Sequence, residues 1–348
     1  EITEFNTAVG GLGENSSLTA TIDGTATRLA TIDTDLFDVE NGTDSITLNV
    51  TTAATVEEYG TLALITDSDN ITLEAGFDDE ISALYDSDSS AVASEVTDAI
   101  GAADSINADI TIKVSSTVTA ADFTKVNALA GINGWLGAVE ATLSGTGSAL
   151  AHADNLDNLS DSTDDGVTAD NITFQISGDV TLANFETISG RTSRTDITVG
   201  GNVTGTLAAF YTTDGDTDAF TALKGHSTDE PISLSETYEI DSGAKIDLFN
   251  AFLNSSEGNV TGTISDTGDD ISILAGADNK RITVGDSDSI TVNIGTDVNP
   301  SGTNLDELKT LAAQAGIAAI EGSMTISNAD INTITHEDFE DALTEDNN

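Results

Sequence analysis

The chain has 348 residues and is strongly acidic: 61 Asp and Glu residues stand against 10 Lys and Arg, which gives a formal net charge of −51. Such a surface excludes nucleic-acid binding, which requires clustered Lys and Arg, and it excludes attraction to anionic membranes. Because a compact chain with this charge repels itself, we expect high salt or bound divalent cations to offset the repulsion.

The rest of the composition predicts a folded chain without disulfides. Hydrophobic residues make up 38% of the sequence and there are only two prolines, which is not typical of acidic disordered proteins. The absence of cysteine excludes disulfides, zinc–thiolate sites and cysteine nucleophiles. No apolar run approaches the roughly 18 residues of a membrane-spanning helix, so we expect no membrane span.

In residues 1–9, apolar and polar side chains alternate. Alternation with a period of two is typical of a β-strand. We therefore expect an N-terminal strand, which could add to an open sheet edge of another copy of the chain.

A strand–helix–strand unit then recurs along the chain. In the unit at 46–76, Thr55 stands nine positions after the strand residue Ile46, and the next strand residue, Ile71, stands 25 positions after it. A second copy with both spacings occupies 172–201. The copy at 110–143 keeps the nine-residue spacing but has a displaced return strand, and a looser copy occupies 324–343. The return strand of the copy at 110–143 is expected at 139–143.

The middle of each unit predicts a short helix that is capped at its start. The Thr hydroxyl can accept a hydrogen bond from an unpaired N–H of the first turn, and Glu58 would complete a capping box with Thr55. An aromatic residue follows within the first turn and would anchor the helix to the strands; these residues are Tyr59, Phe123, Phe185 and Phe339.

These units predict a mainly β protein with short capped helices, arranged as a parallel β-solenoid-like array. The alternative is a pair of α+β or β-sandwich domains that reuse one element. We expect an N-terminal repeat region at 1–165 and a C-terminal repeat region at 166–348. The second region includes a β-rich Gly/Asp stretch at 258–297 and a helix-bearing end at 303–343.

Closely spaced Asp residues in turns are the candidate metal ligands, because calcium prefers six to eight oxygen ligands. The strongest cluster is Asp214, Asp216 and Asp218, in which alternate carboxylates could converge around Gly215. The other candidates are Asp67, Asp69, Asp266, Asp269, Asp270, Asp286 and Asp288. Each cluster is alternatively a solvated acidic turn.

The sequence offers little support for catalysis. Paired carboxylates occur throughout the chain and therefore do not indicate a glycosidase. No phosphate-binding loop, nucleophile elbow or kinase motif is present. Trp135 could stack on a sugar, but a core position is the stronger prediction. We expect that the chain is not an enzyme; an enzyme on a β-helix scaffold is the alternative.

Abundant Thr, Ser, Ala, Gly, Asp and Asn, the lack of cysteine and the strand-rich units together resemble bacterial surface-layer proteins and calcium-dependent repeat adhesins. The resemblance is compositional over the whole chain and involves motifs only in the four repeat units. It implies an extracellular or cell-surface protein that self-assembles, with calcium ions bridging acidic surfaces.

The expected function is therefore a secreted acidic structural protein that polymerises with copies of itself into a surface layer or filament. The alternative is a calcium-dependent adhesin or carbohydrate-binding segment that contacts cell-surface polysaccharide. A globular protein whose charge is an adaptation to high salt is a further alternative, and in that case salt alone would replace calcium.

Overall fold

A computed structural model describes residues 2–10, 17–33, 44–101, 107, 109–133, 135–152, 156, 158–159, 169–191, 197–226, 230–266, 282–298 and 310–324. These residues form an α/β protein with parallel sheets and no closed barrel. The prediction of parallel strands alternating with helices is confirmed at this level, although helices are more prominent than a mainly β chain implies. Parallel pairing also differs from the antiparallel sheets of a β-sandwich.

The elements alternate along the chain. The strands are β1 (Thr19–Gly24), β2 (Ser45–Val50), β3 (Ile71–Leu73), β4 (Phe77–Asp79), β5 (Tyr85–Asp86), β6 (Ala91–Val92), β7 (Ile112–Val114), β8 (Val118–Thr119), β9 (Val139–Gly145), β10 (Asn171–Ile176), β11 (Val180–Thr181), β12 (Ile197–Val199), β13 (Val203–Gly205), β14 (Tyr211–Thr212), β15 (Gly215–Asp216), β16 (Ile232–Leu234), β17 (Tyr238–Ile240), β18 (Val260–Asp266), β19 (Ser289–Val298) and β20 (Ile317–Met324). The helices are α1 (Ile2–Val9), α2 (Ala26–Leu29), α3 (Val56–Leu62), α4 (Ile81–Leu84), α5 (Ser94–Ile100), α6 (Phe123–Ala130), α7 (Gly147–Ala151), α8 (Leu182–Ser189), α9 (Leu207–Phe210), α10 (Asp218–His226) and α11 (Gly243–Ser255). Single 3-10 turns lie at Ser68–Asn70 and Ala120–Asp122.

The chain divides into two compact units, and each is described by itself. Unit 1 comprises Glu1–Ile176 and Ile188–Thr198, and unit 2 comprises Ser177–Thr187 and Val199–Asn348. None of the helices in the described part of the chain combines the length and the apolar character needed to cross a bilayer.

The strands of unit 1 pair in the order in which they follow one another in the chain. One sheet has the parallel order β1-β2-β3, and the other has the order β4-β7-β9-β10-β12, with β8 also paired to β9. A parallel bridge between Ala54 and Phe77 lies just beyond β2. The return strand expected at 139–143 is confirmed as β9, which pairs with both β7 and β10.

The strands of unit 2 also pair largely in the order in which they follow one another in the chain. Its sheet has the order β11-β13-β16-β18-β19-β20, and β17 also pairs with β18. The β19–β20 pairing shifts register after Ile290 and again after Ile294. The antiparallel pairs in the described residues are two short hairpins, β5–β6 in unit 1 and β14–β15 in unit 2.

Alternation of side chains along the strands places one face of each sheet in the core. In β2 the residues Ile46, Leu48 and Val50 are buried, whereas the residues between them are partly exposed. The same pattern occurs in β7, where Ile112 and Val114 are buried and Lys113 is exposed.

Thr hydroxyls cap several helices, as predicted for two of the repeat units. Thr55 and Glu58 form the expected capping box, in which each residue's side chain accepts a hydrogen bond from the other's backbone N–H. Thr181 accepts one from Asn184 at 3.2 Å. Thr119, the corresponding residue of the copy at 110–143, makes no side-chain capping bond, so the cap predicted for that unit is wrong. Caps that the sequence analysis did not assign are formed by Thr25, Thr146 and Thr206.

The aromatic anchors lie in the core. Tyr59, Phe123 and Phe185 are buried, and Tyr59 packs edge to face on Phe77 with ring centroids 5.6 Å apart. Trp135 is 7% exposed and donates from Nε1 to the Ile110 carbonyl, which confirms the predicted core position. In unit 2 a cluster of rings joins the helices; its members are Phe210, Phe220, Phe249 and Phe252.

The predicted N-terminal strand is wrong, because residues Ile2–Val9 form helix α1. The physical reason is that the segment also has a helical spacing. The less exposed face of α1 is formed by residues at three- and four-residue intervals, which are Ile2, Phe5, Asn6 and Val9. The repeat copy predicted at 324–343 lies outside the described residues apart from Met324, and so does the start of the helix-bearing end at 303–309.

Two leucines near the end of α3 offer a matched test of this core. Leu62 is fully buried and Leu64 is 70% exposed. We expect Leu62→Ala to lower the free energy of unfolding of unit 1 by about 2–5 kcal/mol, because it leaves a cavity, and Leu64→Ala to change it by less than about 0.5 kcal/mol. Urea unfolding followed by the fluorescence of Trp135 measures both. Equal effects of the two substitutions would contradict the described packing.

Candidate functional site

The strongest predicted metal cluster lies on the β14–β15 hairpin and the start of α10. Asp216 accepts a hydrogen bond from the Ser255 hydroxyl at 2.5 Å through one oxygen and forms an ion pair with Lys224 through the other. Lys224 also donates to Ser255 Oγ at 3.1 Å. Asp214 is exposed in the hairpin turn, and Asp218 begins α10. Both Asp216 oxygens are therefore used within unit 2.

The remaining candidates are spread over both units. Asp67 immediately precedes the 3-10 turn before β3, and Asp69 lies within that turn. Asp286 is exposed in the turn before β19, close in sequence to Asp288. Asp266 ends β18, and its side chain, like the whole of Asp269 and Asp270, lies outside the described residues.

In the described ranges, no group of three or more His, Cys, Asp or Glu side chains is arranged to hold a metal ion. The alternate carboxylates of residues 214–218 do not form such a group. Calcium binding by the ten predicted residues stays a prediction.

Asp288 has a different role, which it shares with two other aspartates. Each precedes a strand by one residue and accepts a hydrogen bond from the backbone N–H at or just before the start of the preceding paired strand. The carboxylate of Asp44 accepts a hydrogen bond from the N–H of Leu18 at 2.7 Å. Asp170 accepts one from Val139 at 2.7 Å, and Asp288 accepts one from Val260 at 2.8 Å. The two residues of each pair are 26, 31 and 28 positions apart in sequence, respectively. We call these three contacts the aspartate bridges.

The aspartate bridges satisfy backbone donors at the ends of the parallel ladders. An ionised acceptor makes these bonds stronger than neutral ones, and an unpaired donor at a partly buried end would be costly. Asp170 is only 7% exposed, and the second oxygen of Asp288 also accepts the N–H of Gly285 at 2.8 Å. The carboxylates therefore join one strand to the next.

The sequence carries a local signal for these bridges. Asp-Ser-Ile-Thr occurs at 44–47 and at 288–291, and Asp-Asn-Ile-Thr occurs at 170–173. In each, the Asp lies two positions before the Ile of a strand start, and the repeat pattern predicted only the strand. Asp69 stands in the same pattern at 69–72 but makes no hydrogen bond to another described residue.

The outward faces of the parallel sheets carry ladders of polar side chains. One ladder has Asp78, Lys113, Glu140 and Asn171 at paired positions on four strands. Lys113 donates to Asp78 at 2.6 Å, and this bond together with the charge of Asp78 raises the pKa of Lys113. Hydroxyl ladders include Thr142 with Thr173, Thr204 with Ser233, and Thr263 with Thr291.

The positive charges in the described residues are largely used inside the units. Ion pairs join Lys113 to Asp78, Lys125 to Asp122, Lys224 to Asp216 and Lys245 to Asp241. Exposed pairs of this kind contribute about 0–1 kcal/mol each. Among the described residues, few basic side chains are therefore left to oppose a large excess of carboxylates.

Strands β1, β3, β4, β11, β12 and β20 end the larger sheets in the described part of the chain, and β1 and β20 are the first and last of them in sequence. β1 pairs only with β2, and β20 pairs only with β19. Hydrogen bonds from Ser45 to the Leu18 carbonyl and from Thr51 to the Gly24 carbonyl fix which residues of β1 face β2. Because backbone groups alternate along a strand, the N–H and C=O of Thr21 point to the open edge. An exposed edge of this type can pair with another chain.

No family model matches this chain, no curated protein matches its sequence, and no solved structure matches its fold.

The pair Asp286 and Asp288 tests the bridge against a metal-ligand role. In calcium-free buffer with EDTA we expect Asp288→Ala to lower the free energy of unfolding of unit 2 by about 1–3 kcal/mol, since two backbone donors lose their acceptor. Asp286→Ala, at an exposed position, should change it by less than about 0.5 kcal/mol. Urea unfolding followed by circular dichroism measures both. A neutral Asp288→Ala would show that its carboxylate does not support the ladder.

Proposed function

We propose that this chain is a secreted acidic structural protein that assembles with copies of itself into an extracellular surface layer or filament. Divalent cations would bridge the acidic subunits. The observation that carries the proposal is the sequential parallel pairing of the strands, which leaves β1 and β20 each with a single neighbouring strand among the described residues.

The first step of the proposal is that both units are parts of solenoid-like arrays. Strands that are successive in the chain pair in parallel, and the aspartate bridges join positions 26, 31 and 28 residues apart. Steps of this length fall within the 20–50-residue range typical of solenoid coils. A solenoid coil contacts only its neighbours, so an array of this kind can grow by adding coils from another subunit.

The second step concerns the open edges. Thr21 in the middle of β1 presents backbone groups that no described residue pairs with, and β20 is another edge strand. Pairing between these two edges on different subunits would continue the parallel ladder without a new kind of contact. This head-to-tail contact generates a filament when its rotation does not close into a ring.

The third step concerns charge. Each edge strand carries an exposed acidic residue, Asp23 in β1 and Glu321 in β20, and the chain has a net charge of −51. Subunits that approach through these edges repel one another until salt or divalent cations reduce the repulsion. Assembly is therefore expected to depend on calcium, and its loss should dissolve the assembly.

We expect ordered fibres or sheets in negative-stain electron microscopy of the purified chain with millimolar calcium, and their dissolution when EGTA removes the calcium at fixed ionic strength. A third sample with EGTA and high sodium chloride separates specific bridging from general screening. Monomers in all three samples would contradict self-assembly and favour an adhesin or carbohydrate-binding segment. Fibres in sodium chloride alone would contradict the requirement for divalent cations.

A substitution in β1 tests the edge itself. Thr21→Pro removes the N–H that points to the open edge and leaves the β1–β2 hydrogen bonds in place, so the monomer should fold while end-to-end assembly is lost. Thr21→Val keeps the N–H and should assemble like the original chain. Circular dichroism checks the fold, and light scattering with calcium measures assembly. Unchanged assembly of Thr21→Pro would exclude this edge as the contact.

A further inference from the structure

The side of the unit 2 sheet that faces away from the core carries a continuous row of hydroxyl groups. Val203, Ile232 and Val260 are buried, so the residues that follow them in their strands lie on the opposite face. Five neighbouring parallel strands each contribute one hydroxyl residue at paired positions, and these residues are Thr181, Thr204, Ser233, Thr261 and Ser289. We call them the hydroxyl row. All of them are partly or largely exposed.

The hydroxyl row is uncharged in a chain whose net charge is −51. The outward face of the unit 1 sheet differs, because Asp78, Lys113 and Glu140 stand side by side on paired strands. On the unit 2 sheet, Glu239 and Glu321 pair with positions farther along β18 and β19 and mark one limit of the uncharged area. Two copies of the chain therefore repel each other less through the hydroxyl row than through a face that carries carboxylates.

Hydroxyl groups are also suited to contact with an identical surface. A two-fold contact brings the same patch of both copies together, so a carboxylate patch would meet carboxylates. A Ser or Thr hydroxyl both donates and accepts hydrogen bonds, so the hydroxyl row is complementary to itself. The side chains of Ser233, Thr261 and Ser289 make no hydrogen bond with another described residue, and their hydroxyls are available for such a contact.

The size of the face decides what kind of contact it supports. Thr263 and Thr291 extend the uncharged area by one step along two of the strands. With strands about 4.8 Å apart and outward residues about 6.7 Å apart along each strand, these positions together cover roughly 200 Å². A stable dimer buries about 800 Å² on each partner, so two free subunits would bind each other weakly. Two filaments present many such faces at once, and linked contacts reinforce one another.

We infer that the hydroxyl row is a lateral contact through which the unit 2 sheets of two copies of this chain meet face to face. The inference rests on the proposed function, because the contact joins neighbouring filaments side by side. The edges of β1 and β20 extend each filament, and the hydroxyl row converts filaments into a layer.

Single cysteines test this contact without background, because the chain has no cysteine of its own. Ser233→Cys places a thiol in the middle of the hydroxyl row, and Thr173→Cys places one at an equally half-buried position on the outward face of unit 1. A thiol crosslinker of about 10 Å, the spacing of packed sheets, is added to concentrated monomeric protein in EGTA and high sodium chloride. We expect several-fold more covalent dimer from Ser233→Cys than from Thr173→Cys, measured by intact mass.

A charge in the row provides the matched disruption. Thr261→Glu in the Ser233→Cys chain should reduce the dimer to the level of Thr173→Cys, because the contact would bury two like charges that salt screens little. Thr261→Ser keeps the hydroxyl and should leave the dimer unchanged. Circular dichroism checks that all variants fold. Equal crosslinking of Ser233→Cys and Thr173→Cys, or no effect of Thr261→Glu, would overturn the inference, and a neutral glycan would then be the occupant to test.

Electron microscopy with calcium separates this contact from the proposed assembly. Where the original chain forms sheets, Thr261→Glu should form single fibres, and sheets of Thr261→Glu would overturn the inference. Monomers of both chains would contradict the proposed function, and the crosslinking of monomeric protein would still decide whether the hydroxyl row binds a second copy.

Discussion

The parallel ladder between strands that follow one another in the chain is the interaction on which the rest of the structure depends. Many strands are only two or three residues long, such as β8 and β13, and could not form a stable sheet alone. Each becomes stable because its inward side chains stack on those of the next strand and its backbone groups find partners there. Helices such as α3 and α11 cover the core, so the capping box of α3 and the buried aromatic side chains of both helices support the ladder.

The net charge of −51 does not describe how the carboxylates behave. Some of them are structural: the aspartate bridges bind backbone donors, and Asp216 is held by Ser255 and Lys224. Such carboxylates are stabilised by the groups they bind, whereas the exposed ones only repel. The distinction explains how a chain with this composition can have an ordered interior despite its large excess of negative charge.

The parts of the fold that sequence could predict are those governed by local rules. The Thr55–Glu58 capping box, the anchor Tyr59 and the strand at 139–143 follow from residue type and spacing alone. Sequence spacing could not identify the partners of Asp216 and Asp288, which are 39 and 28 residues away, and the Asp-Asn-Ile-Thr pattern also occurs at Asp69, for which the structure shows no bridge. A carboxylate in an acidic turn has the same local sequence whether it binds a backbone donor, a lysine or a metal ion. The helix at Ile2–Val9 was missed because a short segment can satisfy two periodicities at once.

The two hairpins have a consequence for how such a chain can change over time. β5–β6 lies between the paired strands β4 and β7, and β14–β15 lies between the paired strands β13 and β16, yet both pairings remain parallel and in register. Extra residues have thus been accommodated between strands without disturbing the strands themselves. Lengthening a connection costs little free energy, since the closure entropy grows only with the logarithm of loop length. Insertions and deletions in these connections should therefore be tolerated during evolution, and the same connections are suitable places to graft foreign peptides.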